Sequence, residues 1–325
     1  MSDISYTTEE IAALLKVSKL TVYDLIKKGD LPAYRVGRQM RIDADDLEAY
    51  KASAKRGGRL APAPLATQIE QPLSPLYRGE DKGTTPPSSG VRSLVICGQD
   101  ISLDILARHM ERASTAYRTL RSSDGSLNGL LSMYHGRADI VSTHLWDGDT
   151  EEYNLPYIRR ILVGQPYLVI HLLRRQAGFY VQKGNPKRIA SWHDIARPGI
   201  RFVNREKGAG SRVLLDEKLR LHGIHRSEVI GYTHEEANHL GVAGAIARGE
   251  ADVGLGSEKT ASIIHVDFIP LIEEQYDLIL LKSPENEPLR HLLLDILHSP
   301  SFQDELTAVG GYDLSLTGTI LYETP

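Results

Sequence analysis

The segment "HGRADIVS", residues 135–142, returns as "RGEADVGL", residues 248–255. In each copy a helix-like run ends on a glycine, Gly136 or Gly249, and an apolar strand begins after Ala-Asp. Glycine just past a helix end supplies the left-handed conformation that closes it. A chain that stops a helix and starts a buried strand in the same way twice, about 113 residues apart, is expected to fold as two similar lobes. The surrounding units agree. "SLVIC" (93–97), "AYRTL" (116–120) and "ADIVSTHL" (138–145) read as strands, and "LDILARHM" (103–110) and "SLNGLLSMYH" (126–135) as helices. Such alternation implies an α/β fold with a mostly parallel sheet and covering helices. Between the copies, "ILVGQPYLVIHLL" (161–173) and "GFYVQKGNP" (178–186) read as long strands passing from lobe to lobe.

The first fifty residues differ in kind. "YTTEEIAALLKVS" opens with Thr7 and Glu10 at capping-box spacing, followed by Ile11, Leu14 and Leu15 on one helical face. "SKLTVYDLIKKG" gives a second helix, from Ser18 to a C-cap at Gly29. "AYRVGRQMRI" alternates around Gly37-Arg38 as a hairpin, and "DADDLEAY" starts a further helix at Asp43. Helix, tight turn, helix, two-stranded wing and helix is the order of a winged helix-turn-helix. Charge supports it: Lys19 to Arg41 holds six basic residues against two acids, in a chain of net charge −4. A basic end on an acidic whole is expected where only that end meets DNA.

The domains are therefore 1–52, a DNA-binding unit; 53–90, a Pro/Gly-rich linker; and 91–325, a two-lobed ligand-binding unit. Aromatic content of 6% argues against a stacking surface for single strands. The single cysteine, Cys97, excludes an intramolecular disulfide. Without an apolar run of membrane length or a signal-peptide core, the expectation is a cytoplasmic protein that does not span a membrane.

"TTEEIAALLKVSKLTVYDLIKKGDLPAYRVGRQMRI" resembles the excisionase/MerR-like helix-turn-helix family. The resemblance implies that Ser18, Lys19, Thr21, Val22 and Tyr23, with Lys27, face the major groove or its phosphates. It likewise implies that Arg35, Arg38 and Arg41 of the wing bind backbone or minor groove. Asp24 departs from the pattern, because such helices often carry a basic residue there. "SSDGSLNGLLSMYHGRADIVSTHL", "YVQKGNPKRIASWHDIARPGIRFVNREKGAGSRVLLD" and "ARGEADVGLG" resemble the type II periplasmic-binding-protein fold, in its molybdate-binding-like branch. That resemblance implies a two-lobed sensor with its ligand in the cleft.

The ligand candidates lie where strands meet helices. In lobe one these are Asp100, Ser122, Ser123, Gly125 and Ser126, with Thr143 and His144 after the first repeat. Asp100 reads either as an N-cap or as a cleft acid that would require a ligand hydroxyl or amine. In lobe two they are Asn204, Arg205, Gly208, Ala209, Gly210, Ser211 and Arg212. Small residues before a helix free backbone amides for an anion, and Arg212 adds a charged donor. This is no P-loop, since the Gly-Lys-Ser/Thr ending is missing, and "GAGSR" is no nucleophile elbow. His144, His234 and His239 lack metal-ligand spacing and read as structural or surface residues, so no metal and no cofactor is expected.

The reading is a regulator that binds double-stranded DNA as a homodimer on an inverted-repeat operator. It senses molybdate or tungstate, with an organic anion such as a cofactor precursor as the alternative. No convergent acid–base set marks an enzyme.

Overall fold

The computed structural model describes residues 5–27, 31–36, 39–44, 46–47, 50–51 and 91–325. The linker at 53–90 lies outside the described residues, as do Arg38 and the side chains of Asp24, Lys27 and Arg35. The chain divides into two units, Met1–Gly83 and Thr84–Pro325.

In the first unit β1 (Ser5–Thr7), α1 (Thr8–Leu15), α2 (Lys19–Lys27), β2 (Tyr34–Val36) and β3 (Gln39–Asp43) follow in order. The Thr7–Glu10 capping box is present: the Thr7 amide donates to Glu10 at 2.8 Å and Thr7 Oγ1 accepts from the Glu10 amide at 3.3 Å. The wing gains a third strand, since β1 pairs with β3. Ile11, Val22, Leu31, Ile42 and Leu47 form the core. Val22 thereby corrects one expectation. It lies on the same helical face as Leu25 and Ile26 and is fully buried, so its side chain packs the core rather than meeting DNA. Ser18, Lys19, Thr21 and Tyr23 are exposed. Ser18 Oγ accepts from the Thr21 amide at 3.1 Å, Lys19 pairs with Glu9, and Arg41 Nη1 reaches the Ser5 carbonyl at 3.5 Å.

The second unit begins with β4 (Arg92–Cys97), α3 (Ser102–Ala113), β5 (Tyr117–Ser122), α4 (Ser126–Tyr134) and β6 (Ile140–Thr143). A small ribbon, β7 (Trp146–Asp147) with β8 (Glu152–Tyr153), and α5 (Leu155–Ile161) lead into β9 (Tyr167–Val181). The other lobe has β10 (Phe202–Arg205), α6 (Gly210–Leu221), β11 (Glu235–Glu236), α7 (His239–Ala247), β12 (Val253–Ser257) and α8 (Glu258–Ile264). β13 (Asp267–Leu281) returns, and α9 (Glu287–His298), α10 (Pro300–Val309), β14 (Tyr312–Asp313) and β15 (Ile320–Glu323) complete the unit.

Strand order is β11-β10-β12-β9-β13-β6-β4-β5. The wings are parallel, but β9 and β13 run antiparallel to each other and to their neighbours β12 and β6. The sheet is thus mixed at its centre rather than mostly parallel. The two expected connecting strands are one 15-residue strand, β9, and its partner is the equally long β13. Separate apolar cores lie on the two sides, one around Leu94, Leu106 and Leu278, the other around Phe179, Phe202 and Leu255.

The repeat does the same physical work in each lobe. Gly136 and Gly249 take φ of 68° and 74°. Asp139 accepts from the Val95 amide at 2.8 Å and pairs with Arg92, while Asp252 accepts from the Arg201 amide at 2.8 Å and pairs with Arg201. Each aspartate therefore ties its own strand to the neighbouring parallel one.

Candidate functional site

Two helices open against each other between the lobes. Gly125 precedes α4 and Ala209 precedes α6, and neither residue has a side chain able to cap the helix. Among the described residues the amides of Ser126, Gly210 and Ser211 have no acceptor. Helix N-termini carry partial positive charge, which favours negative charge nearby. The loops touch across the cleft: the Leu127 amide donates to the Gly208 carbonyl at 2.9 Å, and Asn128 Nδ2 to the Lys207 carbonyl at 3.3 Å. Glycine permits this approach, because a Cβ on Gly125 would stand 2.7 Å from the Gly208 carbonyl oxygen.

The cavity between the lobes is small, with a volume of about 20 Å³. From lobe one it is lined by Gly98, Gln99, Asp100, Asp124, Gly125, Ser126, Ser142 and His144. Arg205, Ala209, Gly210 and His239 line it from lobe two, and Arg175 and Tyr276 from the connecting strands.

Its charges are organised in pairs. Arg175 Nε donates to Glu274 at 2.6 Å, and Arg175 Nη1 to Asp100 at 2.5 Å, with all three side chains buried. His144 Nδ1 lies 2.5 Å from the other Glu274 oxygen. Burial alone would raise the Glu274 carboxyl, but Arg175 and His144 outweigh it and hold Glu274 far below the usual range. Burial also works against Asp100, whose carboxyl is nonetheless lowered by Arg175 and by the hydrogen bonds from Ser102. The Asp100 oxygens accept from the Ser102 amide at 2.8 Å and from Tyr312 Oη at 2.9 Å. Asp100 thus both braces the start of α3 and lines the cavity. Arg205 reaches across the cleft to Gln99 Oε1 at 2.6 Å and pairs with Glu206 at 2.7 Å. Burial, then Arg205 and Arg175, push the His239 imidazole well below its ordinary value.

The candidates named from sequence separate into two groups. Asp100, Gly125, Ser126, His144, Arg205, Ala209 and Gly210 line the cavity. The others do not. Ser122 donates to Asp124 at 2.9 Å, Ser123 lines a neighbouring groove, and Asn204 is occupied by the Tyr232 carbonyl and the Arg205 amide. Gly208 contributes its carbonyl to the loop contact. Thr143 and Ser211 are buried, with hydroxyls that have no partner among the described residues. Arg212 is a correction: its guanidinium bonds Glu235 at 3.0 Å and Asp216 at 3.3 Å and lies 4.2 Å over the Tyr232 ring, in a different groove. One helical position after Ser211 turns it off the cleft.

Sequence reading missed Gly98, Gln99, Asp124, Ser142, Arg175, His239 and Tyr276 as lining residues. Strand alternation carries the signal for Arg175. In "RR" (174–175) and "EE" (273–274) one residue of each pair faces out and the other in. Arg174 and Glu273 meet at 3.5 Å on the outside, and Arg175 and Glu274 meet within. No group of three or more His, Cys, Asp or Glu among the described residues is arranged to hold a metal ion.

Known proteins share this make-up. Residues 107–298 match the family model described as a PBP superfamily domain, and residues 5–55 the model described as a helix-turn-helix domain. The chain is 47% identical over 320 residues to the uncharacterized protein YvgK of Bacillus subtilis strain 168, covering 98% of each. It is 46% identical over 112 residues to an uncharacterized protein in the ferredoxin 2Fe-2S gene 5'region of Clostridium pasteurianum, covering 34% of this chain and 99% of that one. The fold is similar to a solved structure described as the tungstate ABC transporter from Geobacter sulfurreducens. The TM-score is 0.51 at 14% identity, over 66% of this chain and 98% of that one. The chain belongs to the PBP superfamily and carries a helix-turn-helix domain at its N-terminus, the composition of a ligand-sensing DNA-binding regulator.

Proposed function

We propose that this regulator senses a tetrahedral oxyanion, molybdate or tungstate, in the cavity between its lobes. One observation carries the reading: two helices without side-chain caps, one from each lobe, open onto a single cavity that also holds Arg175 and Arg205. Ser126, Ser142 and Tyr276 add neutral hydroxyls. The buried acids do not oppose an anion as free charges would. Both Glu274 oxygens are engaged by Arg175 and His144, and both Asp100 oxygens by Arg175, Tyr312 and the Ser102 amide. Such a cavity offers the ligand mainly donors, which suits an ion that carries no proton at neutral pH.

Asp124 favours a second reading. Its Oδ2 accepts from Ser122, while Oδ1 has no partner among the described residues. A free carboxylate oxygen in the lining suits a ligand with a hydroxyl or amine, as an organic anion would have.

Ligand binding acts on DNA only through its differential affinity for open and closed lobes. In the proposed mechanism, closure alters the placement of two helix-turn-helix heads in a dimer on an inverted-repeat operator. The first test is thermal unfolding of desalted protein with molybdate, tungstate, sulfate and phosphate at equal concentration. A true effector at about 100 times its Kd adds roughly 2.7 kcal/mol to the native state. A shift with molybdate or tungstate alone is the expected result. No shift with any of the four rejects the inorganic-ion reading.

A further inference from the structure

The cavity has a second compartment of different character. Gln99, Asp100, Arg175 and His239 form a shared wall, and on its other side lies a mouth of about 290 Å³, against about 20 Å³ within. The mouth's polar groups are already engaged by the protein. Tyr312 Oη donates to Asp100, Lys259 Nζ to the Val309 carbonyl, and Ser257 Oγ pairs with Thr260 Oγ1 at 3.1 Å. Asn238 Oδ1 accepts from the Gly241 amide at 2.8 Å. Asp104, largely exposed, pairs with Arg121 at 2.9 Å, and the rest of the lining is aliphatic: Ile101 from lobe one and Leu240 and Ile263 from lobe two, each about half exposed at 49%, 50% and 53%. Three large aliphatic side chains converging from both lobes on the entrance to a polar cavity form a surface that gains from being covered.

A second observation lies at the junction. His239 Nδ1 is completely buried and has no partner among the described residues, although the ring lines both compartments. A buried ring nitrogen without a partner costs free energy until something bonds it. The ring is at the first position of α7, where a ligand atom passing from cavity to mouth would meet it.

We propose that the cleft takes a substituted oxyanion: a charged head in the inner cavity and a nonpolar, ring-sized body in the mouth, with the bridging atom at His239. The inference rests on the anion reading of the inner cavity. A free inorganic ion then fills only the inner half of the site. The body bridges Ile101 on one lobe with Leu240 and Ile263 on the other, so it stabilises the closed form more than the head alone.

The test is calorimetric titration of the full-length protein with inorganic phosphate, sulfate, molybdate and tungstate. The same protein is then titrated with methyl phosphate and phenyl phosphate, and with methyl sulfate and phenyl sulfate. The expected result is that a phenyl ester binds at least tenfold tighter than its methyl counterpart. Leu240→Ser with Ile263→Ser removes that difference and leaves the affinity for an inorganic ion within about twofold. These side chains are half exposed, so the double variant is expected to fold. If inorganic ions bind and the phenyl esters bind no tighter than the methyl esters, the mouth is no subsite, and the anion reading survives alone. If neither ions nor esters bind, both readings fall together.

Discussion

Arg175 and Glu274 are direct cross-strand partners on β9 and β13, the two strands that join the lobes, and their side chains meet at 2.6 Å inside the protein. Register shifts interrupt the same strand pair on both sides, at Pro270/Ile272 and at Tyr276/Asp277. The ion pair therefore fixes the middle of the inter-lobe connection. Removing one partner of a buried pair leaves an uncompensated charge, so Arg175→Met is expected to cost about 3–5 kcal/mol in denaturant unfolding at pH 7. A loss below about 1 kcal/mol would mean that water reaches Glu274.

Acid stability follows from the same carboxyl. The Glu274 carboxyl is depressed in the folded state relative to its ordinary 4.5, so it binds fewer protons folded than unfolded near that pH. Its stabilisation is fully present above that value and is lost as pH falls below it. Asp100, ordinarily at 3.8, acts in the same direction over a slightly lower range. Glu274→Gln should flatten the fall in unfolding midpoint between about pH 5 and pH 3. An unchanged slope in that variant would assign acid sensitivity to other carboxylates.

Arg205 and Arg212 test the orientation of α6 and its preceding loop. Arg205 lines the cavity, whereas Arg212 is held by Glu235, Asp216 and Tyr232 elsewhere. Arg205→Gln should abolish the thermal shift produced by the effective oxyanion. Arg212→Gln should preserve that shift while lowering stability by about 1–3 kcal/mol, through loss of charged hydrogen bonds. The reverse pattern would restore Arg212 as the anion-binding residue.

Gly125 is a point where the backbones of the two lobes come close. A Cβ there would stand 2.7 Å from the Gly208 carbonyl oxygen and 2.8 Å from Ala209 Cα, which are backbone atoms that cannot rotate away. Gly125→Val should prop the lobes apart, weaken effector binding at least tenfold and leave the unliganded protein within about 1–3 kcal/mol of wild type. Small-angle scattering of residues 91–325 with and without effector should then show no ligand-dependent compaction. Compaction equal to wild type would place the closing surface elsewhere.

Much of this architecture is legible in sequence because the signals are local. The capping box at Thr7 and Glu10, the glycine stops at Gly136 and Gly249, and the small residues before α6 each act within a few positions. The long-range part of the site is not. Arg175 and Glu274 are 99 residues apart, and nothing local says that β9 and β13 are partners. The buried member of "RR" becomes evident only once the strand's inner face is known. Val22 and Arg212 mislead for the opposite reason: both sit beside residues on the functional face, and a helix turns each neighbour by about 100°. On a helix, adjacency in sequence is not adjacency in space.

DNA binding should separate from effector binding by its response to salt. Lys19 on α2 is exposed, and Arg41 on β3 lies half-buried beside Ser5. Lys19 pairs in the free protein with Glu9, so meeting a phosphate exchanges one ionic partner for another. Removing one side chain that neutralises a phosphate should reduce the slope of log K against log salt by about one. Lys19→Ala and Arg41→Ala are therefore expected to weaken binding to operator and random duplexes alike, with a shallower salt dependence and an unchanged effector-induced thermal shift. If α2 is the helix that reads bases, Thr21→Ala should instead lower operator affinity more than random-duplex affinity, because its exposed side chain lies next to Ser18 at the start of that helix. Equal losses on both duplexes for Thr21→Ala would assign it to phosphate positioning and move base reading to Tyr23.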